Sequence, residues 1–154
     1  MNGPKMPEIL NRAARHHYHI LDVWEVGIAL KGTEIKSVRA GKLELAEAFV
    51  IVKKDEIWLV NAYINEYSWG NINNHLPRRE RKLLARRPEI VKMKEATELK
   101  GHTIVPLKAY FKGSMLKLEI GVGKGKEARD KRQDKHKQEA KREIDRALKE
   151  RNRI

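Results

Sequence analysis

Residues Gly121–Arg132 read GVGKGKEARDKR, and this stretch divides the sequence into two parts. Every second residue from Gly121 to Gly125 is a glycine. Glycine weakens the interior of a strand, because it brings no side chain to pack and loses the most backbone freedom on folding. We therefore predict that a strand arriving through residues 117–120 ends within this glycine stretch.

The sequence beyond this point has the composition of a solvated tail. Residues 124–154 contain 13 Lys or Arg against 7 Asp or Glu, and only six apolar residues, three of which are alanine. So little apolar surface cannot offset the conformational entropy that folding removes. We predict a folded body at residues 1–123 and a flexible basic C-terminal tail at residues 124–154 that is disordered when free.

The positive charge of the protein is shared between these two parts. The net charge is +13, of which +6 lies in the tail and +7 in the body. Nucleic acid is the first partner to consider, because each contact with a phosphate releases condensed counterions. The alternative is a basic surface that only keeps the protein in solution.

Cysteine is missing from the 154 residues, and so is any long apolar segment. Without cysteine, disulfides and thiolate metal sites are excluded. No apolar run approaches the roughly 20 residues that span a membrane, and Met1–Leu10 has no signal-peptide core. We expect a cytoplasmic protein with no membrane partner.

Alternating apolar residues predict a body built mainly from β-strands. The predicted strands are Tyr18–Leu30, Leu43–Lys53, Glu56–Ala62, His102–Lys112 and Met115–Val122. Many strands joined by turns, with short helices between some of them, favour a closed antiparallel sheet over a parallel one. The predicted fold class is mainly β with short helices: an antiparallel six-stranded oligonucleotide-binding-like barrel with about three helices.

One short helix is predicted after the first strand. Thr33 suits the cap of a helix at Glu34–Ala40, and Gly41 suits its end. Ile35 and Val38 would form its buried side. Three cations would point away from the core: Lys36, Arg39 and Lys42.

A second helix is predicted at residues 88–99, where Pro88 suits the first turn. Four of its residues are spaced for one buried stripe: Ile90, Met93, Ala96 and Thr97. Before this helix, Tyr63–Pro77 is the longest irregular segment of the body and leads into a basic cluster at Arg78–Leu84. Long ordered loops tend to carry function.

The body shows no constellation of catalytic residues. Its three serines lie outside any GxSxG motif, and residues 121–126 lack the GxxxxGK[ST] spacing of a phosphate loop. His16, His17 and His19 make a poor metal site, because His16 and His17 would face opposite sides of a strand and no carboxylate lies at ligand spacing. We predict that the protein is not an enzyme and uses no cofactor and no metal.

Basic clusters with aromatic residues between them predict a surface for RNA. The clusters lie at residues 11–18, 36–42 and 78–82. Lys and Arg can neutralise phosphates, while aromatic side chains can stack on exposed bases. The pattern favours nucleic-acid binding without saying which RNA is bound.

Several of these segments, taken in order, resemble one known family. The matching blocks are Asn11–His16, Glu25–Leu30, Gly32–Lys42, Asn74–His75, Arg81–Leu84, Val105–Lys108, Tyr110–Lys112, Gly125–Lys126 and Asp130–Arg132. They resemble the small protein B (SmpB) family, the tmRNA-binding proteins of bacteria. The likeness covers roughly residues 9–150, and the block Gly32–Lys42 is the most specific part.

The resemblance implies a barrel body that holds the tRNA-like part of tmRNA. It also implies a tail that is flexible when free and helical on the ribosome, placed in the decoding centre and the empty mRNA channel. The implied role is rescue of stalled ribosomes by trans-translation, with tmRNA and the ribosome as partners and a monomer bound to RNA.

The resemblance also assigns roles to individual residues. The implied RNA contacts are Asn11, Arg15, His16, Glu25, Lys36, Arg39, Lys42, Asn74, His75, Arg81, Lys82, Leu84 and Lys117. The implied ribosome-binding residues of the tail are Gly125, Lys126, Asp130, Lys131 and Arg132. The alternative interpretation is a basic ribosomal protein whose extension becomes ordered on the ribosome.

Overall fold

The computed structural model describes residues 6–69, 74–126 and 139–149 of the chain. Its elements are β1 (Ile9–Leu10), α1 (Arg12–His17), β2 (Tyr18–Ile28), α2 (Gly32–Arg39), β3 (Leu43–Glu44), β4 (Phe49–Lys53), β5 (Glu56–Val60), β6 (Tyr63–Ile64), β7 (Arg81–Leu84), α3 (Arg87–Thr97), β8 (His102–Lys112) and β9 (Met115–Gly125). Residues 139–149 are also helical and are called α4 below.

Six of the strands pair into a closed, barrel-like ring. Its order is β2, β7, β5, β4, β8 and β9, and β9 closes the ring by pairing with β2. Every one of these pairings is antiparallel. The predicted fold class is therefore confirmed, with four short helices among the described residues where about three were expected. Outside the ring, β1 lies beside β8, and β3 pairs with β6.

The hydrophobic core fills the inside of the ring. Alternate residues of a strand point inward, so Ile57 and Leu59 of β5 are almost fully buried. Helix α3 adds Met93, which is also fully buried, and packs Ile90 and Ala96 against the same cluster. The apolar stripe predicted for this helix is thus confirmed at three of its four positions.

Both predicted hairpins are present, and both turn through two residues. Lys53 pairs with Glu56 across a turn in which Lys54 and Asp55 have positive φ angles of 53° and 60°. Lys112 pairs with Met115 across a turn that contains Gly113 at a φ of 64°. Positive φ in the turn matches the right-handed twist of the paired strands.

The predicted strand Met115–Val122 is too short, because β9 continues to Gly125. A Cβ on Gly123 would lie 2.7 Å from the Cβ of Tyr18, and one on Gly121 would lie 3.0 Å from the Cγ2 of Ile20. Glycine in a strand can serve the close approach of a neighbouring backbone. These glycines therefore let β2 lie close against β9, and they extend the sheet instead of ending it.

The sheet consequently reaches beyond residue 123, where the body was predicted to end. Gly125 pairs with Tyr18, and the backbone N–H of Lys126 donates to the carbonyl of His17 at 2.8 Å. The division into a body and a tail stays a prediction. The predicted boundary between the body and the tail is now placed at about Lys126.

The prediction that His16 and His17 lie on a strand is also wrong. Both belong to α1, and their ring centroids are 5.1 Å apart. Helix α1 forms because Ala14 is buried against Val105 and Leu107. The argument from opposite strand faces therefore does not apply to these histidines.

Two further strand predictions need correction. The predicted strand Leu43–Lys53 is divided into β3 and β4 by a turn in which the Ala48 N–H donates to the Leu45 carbonyl at 3.0 Å. The basic cluster Arg78–Leu84 contains strand β7, which supplies the sixth member of the ring. None of the helices in the described residues is long and apolar enough to cross a membrane.

Candidate nucleic-acid interface

Helix α2 and the turn that follows it present three exposed cations, Lys36 and Arg39 on the helix and Lys42 just after it, which we call the α2 cationic face. Their predicted orientation away from the core is confirmed by their exposure. The Nζ of Lys36 lies 5.3 Å from the ring centroid of Tyr67, so this cation is also held against an aromatic face. The rigid helix thus carries two of these positive charges, and the third follows the turn at Gly41.

A buried ion cluster fixes the opposite side of α2. We give this name to Glu34, Arg79 and Arg81; the Glu34 and Arg81 side chains are 0% exposed. Glu34 accepts from the Lys31 N–H at 2.8 Å, from Arg79 Nη2 at 2.5 Å and from Arg81 Nε at 2.5 Å. The cluster therefore ties the first turn of α2 to the start of β7.

Arg81 continues this network into the segment before β7. Its Nη1 donates to the Ala62 carbonyl at 2.9 Å, and its Nη2 donates to the Pro77 carbonyl at 3.0 Å. A buried guanidinium needs such partners, because an unpaired charge in the interior is very costly. Each of the three guanidinium nitrogens of Arg81 therefore donates to Glu34 or to one of these carbonyls.

The charge state of Glu34 follows from its surroundings. Burial raises the pKa of its carboxyl, but hydrogen bonds from Arg79, from the Lys31 N–H and from Arg81 outweigh this effect. The pKa of Glu34 therefore lies below its ordinary value of 4.5. The carboxylate stays ionised at neutral pH and accepts hydrogen bonds from both guanidinium groups.

Next to this cluster, His75 links α2 to β6. Its ring is 1% exposed, with Nε2 3.0 Å from the Ile64 carbonyl and Nδ1 2.9 Å from the Thr33 hydroxyl. Because a carbonyl oxygen can only accept, Nε2 carries a hydrogen and donates it. His75 is thus part of the support beneath α2.

The neighbouring residue, Asn74, closes a loop with its side chain. Its Nδ2 donates to the Tyr67 carbonyl at 2.7 Å, and its Oδ1 accepts from the Tyr67 N–H at 3.1 Å. One amide side chain thereby satisfies both backbone groups of Tyr67. Since Tyr67 also lies under Lys36, the loop is fixed relative to the α2 cationic face.

Three of the thirteen residues implied as RNA contacts have buried side chains. Asn11, His75 and Arg81 are 5%, 1% and 0% exposed. Asn11 donates from its Nδ2 to the carbonyls of Leu45 at 3.0 Å and Pro106 at 2.8 Å. The physical reason is shared: each side chain satisfies backbone carbonyls of segments distant in the sequence, which fixes loops instead of reaching solvent.

A second group of implied contacts lies on the outer face of neighbouring ring strands. Glu25 is exposed and accepts from the Tyr110 hydroxyl and, at 3.2 Å, from Lys112 Nζ. These two hydrogen bonds lower the pKa of Glu25. Burial, together with the Glu25 hydrogen bond, raises the pKa of Tyr110 to about 12, so its hydroxyl remains a donor at neutral pH. Leu84 and Lys117 flank this position, since both pair with Gly27.

Arg15 and Lys82 lie next to this second group, whereas His16 lies on α1. Glu119 pairs with Glu25, and Lys82 lies two residues before Leu84 on β7. Arg15 is mostly exposed, with its Nη2 4.0 Å from a Glu119 carboxylate oxygen. Lys82 forms a half-exposed ion pair with Glu56 at 3.2 Å. His16 is exposed on α1 beside His17. The structure therefore does not gather all thirteen residues into one patch.

The implied tail residues are only partly described. Gly125 ends β9, and Lys126 follows it with its N–H bonded to His17. Asp130, Lys131 and Arg132 lie outside the described residues. Farther along the chain, every residue of α4 is exposed.

Sequence reasoning missed Glu34, the acid at the centre of the buried ion cluster. It assigned Ile35 to the buried side of α2, yet Glu34, Ser37 and Val38 are the buried residues. Glu34 lies three residues after Lys31, the N-cap of the helix, where a carboxylate can reach back to the cap N–H. That spacing was the one local signal for its inward orientation.

The fold and the site together define a class of protein: a small barrel-like β-ring with exposed cations on a firmly anchored helix. The model of the SmpB protein family matches residues 8–150, and the chain belongs to this family. The resemblance read from the sequence blocks is thereby confirmed.

Individual relatives are similar over nearly their whole length. An SsrA-binding protein of Carboxydothermus hydrogenoformans is 50% identical over 141 residues, which is 92% of this chain and 95% of that protein. One of Ligilactobacillus salivarius is 51% identical over 139 residues, or 90% of each chain. A solved structure described as "tmRNA-SmpB: a journey to the center of the bacterial ribosome" matches with a TM-score of 0.68 at 46% identity, covering 79% of this chain and 86% of its own.

Proposed function

We propose that this protein binds the tRNA-like part of tmRNA and brings it to stalled ribosomes for trans-translation in the cytoplasm. Its role is binding and delivery, without catalysis. Membership of the SmpB family supports this proposal, as do relatives named SsrA-binding protein and a similar structure described with tmRNA and the ribosome.

The observation that carries the RNA-binding part is the α2 cationic face above the buried ion cluster. Lys36, Arg39 and Lys42 are exposed, whereas the helix that bears the first two and leads into Lys42 is held by ion pairs of 2.5 Å beneath. Cations on a fixed scaffold contact phosphates without first having to order the backbone, which lowers the entropic cost of binding. The face therefore suits the regular phosphate spacing of a folded RNA.

The proposal for the tail is that it becomes helical in the decoding centre and the empty mRNA channel. Helix α4 supports this, because it is exposed throughout and has opposite charges at helical spacing. The spaced pairs are Glu139 with Arg142, Glu143 with Arg146, and Asp145 with Lys149. Each pair stabilises a helix by only about 0.2–0.5 kcal/mol, so contact with rRNA supplies the rest.

RNA binding by the body is expected to depend steeply on salt. If about four phosphates are contacted, raising the salt from about 50 to 200 mM weakens binding roughly 100-fold through lost counterion release. A filter-binding or fluorescence titration with the tRNA-like RNA measures this. An affinity that stays nearly constant over this range would show that the cationic surface is not the RNA surface.

A charge-matched comparison locates the contact. The triple variant Lys36→Ala, Arg39→Ala, Lys42→Ala is expected to reduce the slope of log affinity against log salt by about 2 to 3. The control removes three exposed cations from and just after α3: Arg87→Ala, Lys92→Ala, Lys100→Ala. The control should leave the slope close to that of the unmodified protein, and equal losses in both variants would contradict a specific role for α2.

A further inference from the structure

Trp69 is the most exposed large apolar side chain in the described part of the chain, with 81% of its surface accessible. The other two tryptophans, Trp24 and Trp58, are half-buried in the sheet. An indole left in water forgoes the hydrophobic stabilisation that burial would give. The exposure of Trp69 therefore has to be explained by something other than the stability of the fold.

The backbone two residues before Trp69 is firmly held. Asn74 bonds both backbone groups of Tyr67, and the Nζ of Lys36 lies 5.3 Å from the centroid of the Tyr67 ring. The residue after Asn74 is His75, which is anchored to Thr33 at the start of α2. Trp69 thus extends from a loop whose base is tied to the α2 cationic face.

We propose that Trp69 stacks on an unpaired nucleobase of the RNA whose phosphates the α2 cationic face binds. The proposal rests on the RNA binding proposed above and adds a base contact to it. A flat aromatic ring beside a group of cations suits an unpaired nucleotide, because the ring can stack on the base while the cations form ion pairs with the neighbouring phosphates. A protein-binding patch would instead need several contiguous apolar side chains, and residues 65, 66 and 68 are polar.

Four proteins test the proposal against the tRNA-like RNA: the unmodified chain, Trp69→Ala, Trp69→Phe and Leu76→Ala. We expect Trp69→Ala to bind about 5- to 150-fold more weakly with an unchanged salt slope, because stacking involves no counterion release. Trp69→Phe keeps an aromatic face and should stay within a few-fold of the unmodified protein. Leu76 is 73% exposed in the same segment but has no aromatic face, so Leu76→Ala should bind normally.

Tryptophan fluorescence gives an independent readout. RNA should quench the exposed emission of the unmodified protein, and this quenching should be lost in Trp69→Ala although Trp24 and Trp58 remain. Unchanged affinity of Trp69→Ala, equal weakness of Trp69→Phe, or a reduced salt slope would each overturn the stacking proposal. Unchanged RNA affinity with weakened ribosome binding would assign Trp69 to a contact with the ribosome and overturn the proposal as well.

The experiment separates this proposal from the proposed function. If the unmodified protein binds the RNA with a steep salt dependence and Trp69→Ala binds it with equal affinity, only the stacking contact is refuted. If the unmodified protein does not bind the RNA at all, the proposed function fails and the stacking contact fails with it.

Discussion

Truncation after Lys126 is expected to abolish peptide transfer to alanine-charged tmRNA on stalled ribosomes, while affinity for tmRNA stays within a few-fold. The cut is placed there because β9 runs to Gly125 and the Lys126 N–H is bonded to His17. The six-stranded ring and the α2 cationic face remain whole in the truncated protein. The truncated protein should therefore still bind tmRNA but fail to rescue stalled ribosomes.

The size of the effect follows from the charge of the tail. Residues 127–154, which the truncation removes, carry 11 Lys or Arg against 7 Asp or Glu, and the few apolar side chains of α4 are exposed, with Ile144 at 61% and Leu148 at 52%. Such a segment gains little by docking on its own basic body, but it gains a phosphate contact for each cation when it meets rRNA. Removing the tail should therefore impair peptide transfer on the ribosome and leave the affinity for tmRNA within a few-fold.

A shorter truncation provides the matched control. Cutting after residue 149 removes only five residues and keeps both α4 and the Asp130-Lys131-Arg132 tripeptide, so most of the peptide transfer should remain. Both variants are assayed for tmRNA affinity and for tagging of the stalled peptide. Full transfer by the longer truncation, or a collapse of its tmRNA affinity, would contradict the proposed division between body and tail.

Glu34→Ala is expected to lower the free energy of unfolding by about 3–5 kcal/mol, a large part of the stability of a domain of this size. The substitution leaves the buried guanidinium of Arg81 without its carboxylate partner, and Arg79 loses the same partner. Urea unfolding monitored by circular dichroism measures the change. Glu80→Ala removes an exposed acid that lies 3.5 Å from Lys53, and it should cost less than about 1 kcal/mol.

The free energy of unfolding that Glu34 contributes is also expected to depend on pH. Because the pKa of Glu34 is lowered in the folded protein, its ionised form stabilises the fold above the ordinary value of 4.5. That contribution is lost as the pH falls through the lowered pKa. The difference in stability between the unmodified protein and Glu34→Ala should thus be largest near neutral pH and shrink in acid.

Two results would contradict this account of the buried ion cluster. One is a Glu34→Ala protein that unfolds at the same urea concentration as Glu80→Ala. The other is strict additivity of Glu34→Ala and Arg81→Ala in the double variant, because groups in direct contact should show a coupling energy.

The exposed side of α2 could be predicted from the sequence, whereas its buried side could not. Lys36, Arg39 and Lys42 recur every three residues, which places them on one side of any helix. The burial of Glu34 depends on Arg79 and Arg81, 45 and 47 residues away in the chain. A local pattern carries no information about such distant partners, so an acid in a basic segment was not expected in the core.

The same limit explains why the burial of Asn11 and the packing role of the β9 glycines were not predicted. Asn11 is buried because it bridges Leu45 and Pro106, which are 34 and 95 residues away. The glycine alternation at residues 121–125 predicts a strand end when it is considered alone. Its actual role, close packing against β2, becomes visible only once Gly123 is placed beside Tyr18.

The central claim, a tmRNA-binding rescue factor, is tested most directly by sequencing the RNA that co-purifies with the full-length protein and counting protein copies per ribosome. The account predicts that tmRNA is the most enriched RNA and that the protein is present in far less than one copy per ribosome. One copy on every ribosome without enrichment of tmRNA would contradict the account and would identify a basic ribosomal protein instead.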